Sequence, residues 1–378
     1  MVSPTGVLGG SERIFVNLIE RAAIGGYEPS VLLLRDGPLR ALLEATGVPL
    51  TVASIGRFRD PRRTARTMRG IAAVISRERP DVVYSNMAMA HMYAALPAWL
   101  ADRPAFWHQA GIPTPASMLD RFASALPARC VLAVSTQAAR AQRRLRPSPP
   151  VTLFRPGIAL DRFTSADGAY IRARYDIPPE APFVGIVGRL QEWKGQREFL
   201  LAAAEVAEVV PEARFAVVGG AILGWEGDYP DRLRRLANEL QIGERVIFTG
   251  HTEEVPEWLH ALDIVVNASA AEPFGLVVPE AMASGAVVVA VRSGGPADVI
   301  TDGVNGLLCD APEPLELADR ILLAVRDREL RARITTAARA HAQAHFGADR
   351  MASDFGDIVR RCVITPAPRQ RLRKRERR

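Results

Sequence analysis

Short β-rich runs alternate with segments of helical periodicity along almost the whole chain, and this alternation constrains the fold more than any other feature. It is typical of parallel sheets whose strands are joined by crossover helices. In the first half we predict strands near residues 31–34, 49–53, 82–85, 105–108, 131–135 and 151–154. Between them we predict helices at 11–22, 63–78, 88–100, 117–126 and 136–146.

A second series of the same kind follows the turn-rich segment FRPGIALDRFTSADG. Its strands are predicted near 183–188, 214–218, 245–249, 263–267 and 286–291. Its helices are predicted at 195–210, 229–240, 255–262, 275–284, 314–343 and 348–363. We therefore expect two parallel α/β domains that meet at a cleft, with ligands bound where the C-terminal ends of strands face it.

The N-terminus has the pattern of a shortened first strand. MVSPTGVLGGSER predicts a strand that ends at Val2–Ser3, then a glycine loop and a helix. A Rossmann-like half ordinarily has about four to six more apolar residues in its central strand. We expect an N-terminal domain at 1–160 with 348–364, its first strand truncated because the chain begins late, and a C-terminal domain at 161–347.

The basic charge of the chain belongs to a short C-terminal tail. The formal charge at pH 7 is +6, and residues 365–378, with six arginines, one lysine and one glutamate, carry a net +6 themselves. Residues 1–364 are therefore formally neutral, and no nucleic-acid partner is expected. We expect the tail to be disordered and to make at most a weak contact with anionic membrane lipids.

Cysteine usage and hydropathy favour a cytoplasmic protein. Cys130, Cys309 and Cys362 lie far apart without a CxxC pair, which suits a reducing compartment rather than a disulfide framework or a zinc site. No run of about 18 uncharged apolar residues indicates a membrane span. The first residues lack the basic start and apolar segment of a secretory signal. We expect a cytoplasmic location, with any membrane contact peripheral at the inner face.

The segment VGIVGRLQEWKGQREFLL, residues 184–201, has the pattern of a phosphate site. A buried strand ends at Gly188, and Arg189 and Lys194 follow it just before a helix begins. Two fixed cations beside a helix N-terminus form a receptacle for a diphosphate. Lys194 is one of only two lysines in the chain, the other being Lys374 of the tail. A loop with ordinary surface charges is the alternative.

Two familiar phosphate-binding patterns are missing from the sequence. It contains no GxxxxGK[ST], the P-loop pattern, and no Asp-x-Asp pair that would hold a divalent metal on a nucleotide diphosphate. We therefore expect Arg189 and Lys194 to supply the charge in place of a metal ion. Neither a metal site nor a cofactor is predicted.

Two carboxylates, Glu272 and Glu280, stand inside the largely apolar stretch AEPFGLVVPEAMASG, residues 271–285. Burying an unpaired carboxylate is costly, so each acid needs a partner or a ligand. Pro273 disfavours helix at Glu272, which places this acid in the loop before a helix. Pro279 either delays the start of that helix or bends its first turn.

The start of the same helix adds hydrogen-bond donors. Free backbone N–H groups are expected there at Phe274, Gly275 and Leu276. Carboxylates beside free amides suit a polyhydroxylated ligand, whose hydroxyls need acceptors and donors together. The alternative is structural, with Glu272 capping the helix and Glu280 paired with an internal arginine.

Five segments together resemble the retaining, nucleotide-sugar-dependent glycosyltransferases of family 4, which have the GT-B fold. EPFGLVVPE fits the E-x7-E signature of that family, and GRLQEWKG resembles its diphosphate motif. GGSER, RPGIALDRF and SGGPADVITDGVNGLL are similar to its N-terminal glycine loop, its interdomain segment and the run after the E-x7-E helix. They occur in the family's order and span residues 9–308. The resemblance implies a C-terminal helix that crosses back to the N-terminal domain.

The resemblance also implies a role for each candidate residue of the second domain. Arg189 and Lys194, with Gly188, would bind the donor diphosphate. Glu280 would accept hydrogen bonds from the ribose hydroxyls. Glu272 would hold the transferred sugar, assisted by the backbone amides of Phe274, Gly275 and Leu276.

Other implied site residues lie outside these two motifs. Gly9 and Gly10 would let the backbone approach the donor phosphate or the acceptor. His108, at the end of a strand, takes the place of a family residue near the reaction centre, although a lone histidine can equally belong to the core. The base pocket is expected from His251 to Val255, with UDP and GDP both open.

The implied reaction moves a sugar from a UDP- or GDP-sugar to an acceptor hydroxyl with retention and without a metal ion. The nucleotide sugar is then a substrate, and the acceptor is a glycan, a lipid-linked glycan or a small molecule. A GT-B sugar-nucleotide epimerase is an alternative, and it would act on the donor without an acceptor. A non-catalytic nucleotide-sugar-binding subunit is another, which the presence of both cations and both glutamates disfavours.

Overall fold

The computed structural model describes residues 1–53, 60–147, 149–221 and 227–364, with side chains as far as residue 361. It divides into two compact units. Unit 1 comprises Met1–Gly157 and the chain from Ala348 onward, and unit 2 comprises Ile158–Gly347. The sequence places these boundaries after residues 160 and 347. The basic tail lies outside the described residues.

The described residues of unit 1 form a sheet of seven parallel strands in the order β3-β2-β1-β4-β5-β6-β7. They are β1 (Val2–Ser3), β2 (Val31–Leu33), β3 (Leu50–Val52), β4 (Val83–Asn86), β5 (Ala105–Gln109), β6 (Cys130–Ala133) and β7 (Val151–Leu153). The central strand β1 is two residues long and pairs with both of its neighbours.

Crossover helices connect these strands. They are α1 (Gly10–Glu20), α2 (Ala22–Gly25), α3 (Leu39–Ala45), α4 (Pro61–Glu78), α5 (Met87–Leu100), α6 (Met118–Ala125) and α7 (Thr136–Arg144). Helix α4 shows why the sequence folds this way locally. Asp60 accepts hydrogen bonds from the N–H groups of Arg62 and Arg63, and Pro61 occupies the first turn, where its missing N–H costs nothing.

The described residues of unit 2 form a sheet of six parallel strands in the order β10-β9-β8-β11-β12-β13. They are β8 (Phe183–Val187), β9 (Arg214–Val218), β10 (Val246–Gly250), β11 (Ile264–Asn267), β12 (Val287–Val291) and β13 (Leu307–Cys309). Strands β8, β11 and β12 are buried except at Val187, and strands that are buried on both faces are near-continuous apolar runs.

The helices of unit 2 are α8 (Leu160–Thr164), α9 (Ala169–Arg174), α10 (Gln196–Val209), α11 (Tyr229–Glu239), α12 (Val255–Ala261), α13 (Val277–Ser284), α14 (Pro296–Val299), α15 (Pro314–Arg326) and α16 (Arg328–His345). The prediction of one helix at 314–343 is wrong. Asp327 has non-helical backbone angles and its side chain accepts a hydrogen bond from the N–H of Leu330. It therefore ends one helix and caps the next.

The chain finally returns to unit 1 as α17 (Ala348–Ile364), which packs against α1 and α2. A Cβ on Gly356 would lie 1.9 Å from the carbonyl oxygen of Gly25, so glycine allows this close approach. Arg360 Nη1 donates to the same carbonyl oxygen at 2.8 Å. The predicted α/β class, with two parallel Rossmann-like sheets and a returning C-terminal helix, is confirmed.

Among the described residues, the cysteines form no disulfide bond and the side chains that could bind a metal ion form no metal site. Cys130 and Cys309 are buried free thiols, and the side chain of Cys362 lies outside the described residues. Within the described ranges, no three His, Cys, Asp or Glu side chains come together in a way that could hold a metal ion.

Candidate functional site

The segment that contains Lys194 and the segment that contains Glu272 are joined by an ion pair between these two residues. Lys194 Nζ lies 2.6 Å from Glu272 Oε2, and the two side chains are 21% and 5% exposed. The ammonium also lies 4.2 Å from the centroid of the Trp193 ring, within cation–π range. A buried carboxylate needs such a partner. The side chain of Leu276, the N-cap residue of α13, makes no capping hydrogen bond, and among the described residues Glu272 Oε2 accepts from Lys194.

Gly195 brings the loop after β8 against the loop after β11. Its φ is +78°, and a Cβ there would lie 2.4 Å from the carbonyl oxygen of Ala268. Ser269 Oγ donates to the carbonyl oxygen of Trp193 at 3.0 Å and links the same two loops. Only glycine combines this backbone conformation with this contact, and Lys194 is thereby positioned next to Glu272.

The loop after β12 contacts the loop after β11 at Ser269 and Glu272. Ser293 Oγ donates to the carbonyl oxygen of Ser269 at 2.8 Å. The N–H of Gly295 donates to the carbonyl oxygen of Glu272 at 3.1 Å, and a Cβ on Gly295 would lie 1.9 Å from the carbonyl oxygen of Phe274. Loops from three adjacent strands, β8, β11 and β12, therefore hold one another at the C-terminal edge of the sheet.

Free backbone donors face this assembly at the start of α13. Among the described residues, no acceptor bonds the backbone N–H groups of Phe274, Gly275 and Leu276. Gly275 has a φ of +77°, and a Cβ there would lie 2.9 Å from Cγ of Glu272. The donors thus begin directly beside the paired carboxylate, as the sequence pattern indicates.

The helix itself begins at Val277, two residues after the predicted start at 275. Pro279 is in the first turn and breaks no helical hydrogen bond, because the first amides of a helix have no intrahelical acceptor. The N–H of Glu280 donates normally to Leu276 at 3.1 Å. Glu280 is partly buried and stands on the first turn, near the positive end of the helix dipole.

Arg189 is the second cation of the site. It follows Gly188, whose φ is +155°, and its carbonyl oxygen accepts from Gln196 Nε2 at 2.8 Å. The guanidinium is partly buried and makes no ion pair or hydrogen bond with any described residue. The fold therefore fixes the backbone of Arg189 and leaves its charge available to an anion.

A cavity of about 290 Å³ lies beside the same loop of unit 2. Its walls include Leu190, Gly220, Arg234, Phe248 and His251. The Arg234 guanidinium carbon lies 5.1 Å from the centroid of the Phe248 ring. His251, predicted for the base pocket, is in this wall. Val255 is the first residue of α12 and is not part of the wall that the described residues form.

His108 of unit 1 is completely buried. Its Nδ1 lies 3.3 Å from Asn86 Oδ1, and its ring packs against Tyr84 and Phe154 with centroids at 5.9 and 6.0 Å. Burial lowers the pKa of His108 to about 4, so the imidazole is neutral at pH 7. Its Nε2 has no hydrogen-bond partner among the described residues. A place near the reaction centre stays a prediction.

Gly9 and Gly10 are at the start of α1. Gly9 is extended, with φ at −138°, and no side chain caps the helix there. A Cβ on Gly9 would lie 2.9 Å from Glu12 Oε2, so glycine makes room for this buried carboxylate. Gly10 is exposed and opens the helix. Their proposed contact with a ligand stays a prediction.

Sequence reasoning missed the residues that hold the site together. Trp193 lies under the ammonium of Lys194, and Ser269, Ser293 and Gly295 join the three loops. Ser293 and Gly295 belong to the quoted run SGGPADVITDGVNGLL, so the only available signal was their place in that run. Among the described residues, a paired carboxylate, a guanidinium without an ion pair and backbone amides without an acceptor thus lie at one sheet edge, a combination whose chemistry suits an anionic, hydroxyl-rich ligand.

Comparison with known proteins assigns the family. The model described as "Glycosyltransferase Family 4" matches residues 8–162, and the model described as "Glycosyl transferases group 1" matches residues 169–341. Together they cover most of both units. The chain belongs to the glycosyltransferase family that these two models describe, and the resemblance seen in the sequence is confirmed.

The curated relatives carry one recurring name. The D-inositol 3-phosphate glycosyltransferase of Stackebrandtia nassauensis is 35% identical over 228 residues, which are 57% of this chain and 51% of the relative. The protein of the same name from Corynebacterium jeikeium is 40% identical over 193 residues, 50% of this chain and 46% of the relative. The chain spans about half the length of the curated relatives it matches.

Solved structures match over nearly the whole chain. Anabaena Alr3699/HepE in complex with UDP is 26% identical, with a TM-score of 0.83 and coverage of 95% of this chain and 98% of that chain. The same protein is also known in complex with UDP-glucose. Sucrose-phosphate synthase from Thermosynechococcus elongatus is 21% identical, with a TM-score of 0.78 and coverage of 95% of this chain and 98% of that chain. At this identity the likeness shows a common fold and no more. The GT-B fold is confirmed.

Proposed function

We propose that this protein transfers a sugar from a nucleotide-diphosphate sugar to an acceptor hydroxyl. The observation that carries the proposal is the Lys194–Glu272 pair, 2.6 Å apart, beside the free amides that begin at Phe274. It supplies a cation for a phosphate, and acceptors and donors for sugar hydroxyls, within one rigid set of loops. Family membership supports the same reading.

The cations of the site suit the leaving group. As the bond between sugar and diphosphate breaks, negative charge develops on the diphosphate, and a fixed cation stabilises it. Arg189 has no acidic partner among the described residues, so its charge is not already neutralised. Lys194 has three N–H donors and uses one on Glu272, which leaves donors for a phosphate oxygen. We therefore propose that the reaction needs no metal ion.

Glu272 and the amides suit the transferred sugar. A carboxylate has about four lone-pair positions, and Lys194 occupies one, so Glu272 can also accept from sugar hydroxyls. The N–H groups of Phe274, Gly275 and Leu276 can donate to hydroxyl oxygens. Glu280, on the first turn of α13, is proposed to accept from the ribose hydroxyls.

We further propose retention of the anomeric configuration by a same-face path. A covalent intermediate needs an available carboxylate nucleophile, whereas Glu272 is held by Lys194 at 2.6 Å. In the same-face path the diphosphate leaves and the acceptor enters on one side of the sugar. Anomeric analysis of the product by NMR tests the retention, and inversion would overturn it. A covalent glycosyl–enzyme intermediate trapped and seen by mass spectrometry would overturn the same-face path.

The donor is proposed to be a UDP-sugar, because HepE, the structural neighbour above, binds UDP and UDP-glucose. The cavity that His251 lines is the proposed base pocket. The name of the curated relatives supports a small, phosphorylated polyol as acceptor. His108, Gly9 and Gly10 are proposed to serve on the side of unit 1.

Calorimetric titration with UDP, GDP and NAD tests the donor site. We expect UDP to bind to the wild-type protein and Glu280→Gln to weaken it roughly tenfold or more, because hydrogen bonds to a charged group contribute about 1.5–3 kcal/mol. Glu212→Gln is the matched control, since Glu212 is exposed two residues before β9 begins, at the opposite end of that strand from the site. Unchanged UDP binding in Glu280→Gln would remove the ribose role.

Release of UDP from a UDP-sugar separates the enzyme classes. A transferase releases UDP faster when its acceptor is added, and an inositol phosphate is the first acceptor to try. An epimerase converts the donor with no acceptor present, and a binding subunit does neither. Binding of NAD in preference to both nucleotides would overturn the proposal.

A further inference from the structure

Three helices of unit 1 form one layer over its sheet. Helices α4, α5 and α6 connect β3 to β4, β4 to β5 and β5 to β6, and each step runs in the same direction across the sheet. Because such crossovers are right-handed in about 98% of cases, the three helices lie on the same face. Helix α5 packs against both α4 and α6. Their outward sides therefore form one continuous area, here named the α4–α6 surface.

Large apolar side chains are exposed along the middle of this surface. On α5 they are Met89, Leu96, Trp99 and Leu100, and on α6 they are Met118, Leu119 and Phe122. Leu100 is 68% exposed and Met118 83% exposed. Leu96 follows Met89 by seven positions, and Trp99 and Leu100 follow Leu96 by three and four, which puts these residues on one side of the helix. Seven such residues on two adjacent helices exceed the scattered exposure that a soluble surface ordinarily shows.

Exposed arginines lie on α4, the helix next to α5. Arg62, Arg63, Arg66 and Arg69 are exposed, and of these only Arg63 forms an ion pair within the described part of the chain, with Asp60 at 3.2 Å. Residues 60–129, which include all three helices, contain nine arginines and five acids, a net +4. Since residues 1–364 are formally neutral, the rest of that part carries −4. Positive charge is thus concentrated in the part of the chain that contains the three helices, and the four arginines named above lie on α4 next to α5.

We propose that the α4–α6 surface docks onto an anionic lipid bilayer. The apolar side chains of α5 and α6 enter the boundary between headgroups and acyl chains, and the α4 arginines bind lipid phosphates. Trp99 has the amphipathic ring that prefers this depth, and arginine pairs with phosphate in a bidentate manner. No helix among the described residues is long and apolar enough to cross a membrane, so this contact is made from one side.

A second copy of the chain is the main competing occupant, and charge disfavours it. A two-fold contact would place the same surface on both subunits, so arginines would face a surface that is itself positive. An anionic bilayer instead offers negative charge beside an apolar layer. The negative charge matches the arginines of α4, and the apolar layer matches the exposed side chains of α5 and α6. This inference does not depend on the proposed transferase activity.

Co-sedimentation of the full-length protein with vesicles tests the proposal. Phosphatidylcholine vesicles with and without phosphatidylglycerol are compared at low and high salt. We expect binding to the anionic vesicles, weakened by salt. The combined change Arg62→Gln, Arg66→Gln and Arg69→Gln should lower the partition coefficient on the order of a hundredfold at low salt, from about 1 kcal/mol per arginine. Leu100→Gln, Met118→Gln and Phe122→Gln together should lower it roughly tenfold or more.

Matched controls separate this surface from other sources of binding. Leu315→Gln, an exposed apolar residue of α15 in unit 2, should leave binding unchanged. Full-length protein in which the tail arginines and Lys374 are replaced by serine should retain the dependence on both sets of α4–α6 changes. Circular dichroism melts confirm that the variants fold.

Three results would overturn the proposal. One is absence of binding to anionic vesicles by the wild-type protein. Another is binding that persists in both triple variants and disappears only when the tail is neutralised, which would make the tail the membrane contact. The third is a dimer, seen by light scattering in solution, that the apolar triple variant abolishes, which would make the surface a contact between copies.

Discussion

The C-terminal edges of the two sheets, built on the same parallel α/β plan, differ in charge. In unit 2 this edge holds Arg189, Lys194 and Glu272 on loops that leave backbone amides free. In unit 1, Asn86 at the end of β4 and His108, one residue before the end of β5, are both fully buried, and the histidine is neutral at pH 7. The plan places loops at this edge in both units, and the residues on those loops decide whether an anion can bind there.

The largest effect is expected from Lys194→Met, which breaks the charge balance of the unit 2 edge. It leaves the buried Glu272 carboxylate without its cation, which we expect to cost about 3 kcal/mol in the free energy of unfolding. Transfer activity should fall by about a hundred- to a thousandfold, because a donor to the developing charge is lost. Denaturant unfolding and kcat/KM for a UDP-sugar measure the two effects.

Glu272→Gln and the double variant complete the test. In Lys194→Met with Glu272→Gln no buried charge remains, so much of the lost stability should return while activity stays low. If the double variant is as unstable as Lys194→Met alone, the pair is not the reason for the loss. A normal kcat/KM in Lys194→Met would remove this residue from the reaction.

The pH dependence of stability sharpens the comparison from the side of unit 1. Burial lowers the pKa of both His91 and His108 to about 4, from an ordinary value near 6.5. Well above pH 6.5 both imidazoles are neutral whether the chain is folded or not. As pH falls from 6.5 to 4 the unfolded chain binds protons that the folded chain does not, so stability falls with decreasing pH. At about 1.4 kcal/mol per pKa unit, each histidine accounts for a loss of up to about 3 kcal/mol in the free energy of unfolding between pH 6.5 and pH 4.

His91→Phe isolates one of these contributions. His91 stacks on Trp107 at 5.0 Å with the rings nearly parallel, and phenylalanine can keep that contact. We expect a shallower fall in unfolding free energy between pH 6.5 and 4 than in the wild-type protein. His345→Gln, a change at an exposed ring of α16, is the control and should keep the wild-type slope. An unchanged slope in His91→Phe would mean that His91 is not held neutral by burial.

The sequence predicted long helices better than short ones. Amphipathic helices of ordinary length have a clear apolar period, whereas a helix such as the four-residue α14 is too short to show one. The three-residue strand β13 was also missed, although β2, β3 and β7, which are equally short, were predicted. The break at Asp327 was missed because apolar periodicity continues across it. A single side-chain cap interrupts the helix there, and period alone does not reveal it.

The site was predictable in residue type but not in contact. Lys194 was singled out as the only lysine of residues 1–364, and Glu272 as an acid inside an apolar run. The two residues that form the pair are, however, 78 positions apart in the sequence. Motif spacing along one loop contains no information on which loop lies opposite. The same holds for Gly295, whose importance lies in its approach to Phe274 from a different strand.

Gly295→Ala gives the smallest of these effects and tests whether close backbone packing holds the unit 2 edge in shape. The backbone of Gly295 is in the ordinary helical region, with φ at −66°, so alanine adds no backbone strain. Its Cβ would, however, meet the carbonyl oxygen of Phe274 at 1.9 Å and force the loop that carries the free amides to move. We expect UDP-sugar affinity to fall roughly tenfold, since one hydrogen bond to a charged or oriented group contributes about 1.5 kcal/mol.

Gly70→Ala in α4 is the matched control, because a Cβ there meets no atom within 4 Å. It should leave affinity unchanged and raise helix stability by up to about 1 kcal/mol. If Gly295→Ala binds the donor like the wild-type protein, the position of the amides at 274–276 does not matter to binding. The two units would then differ in charge alone, rather than in charge and in the packing that keeps donors exposed.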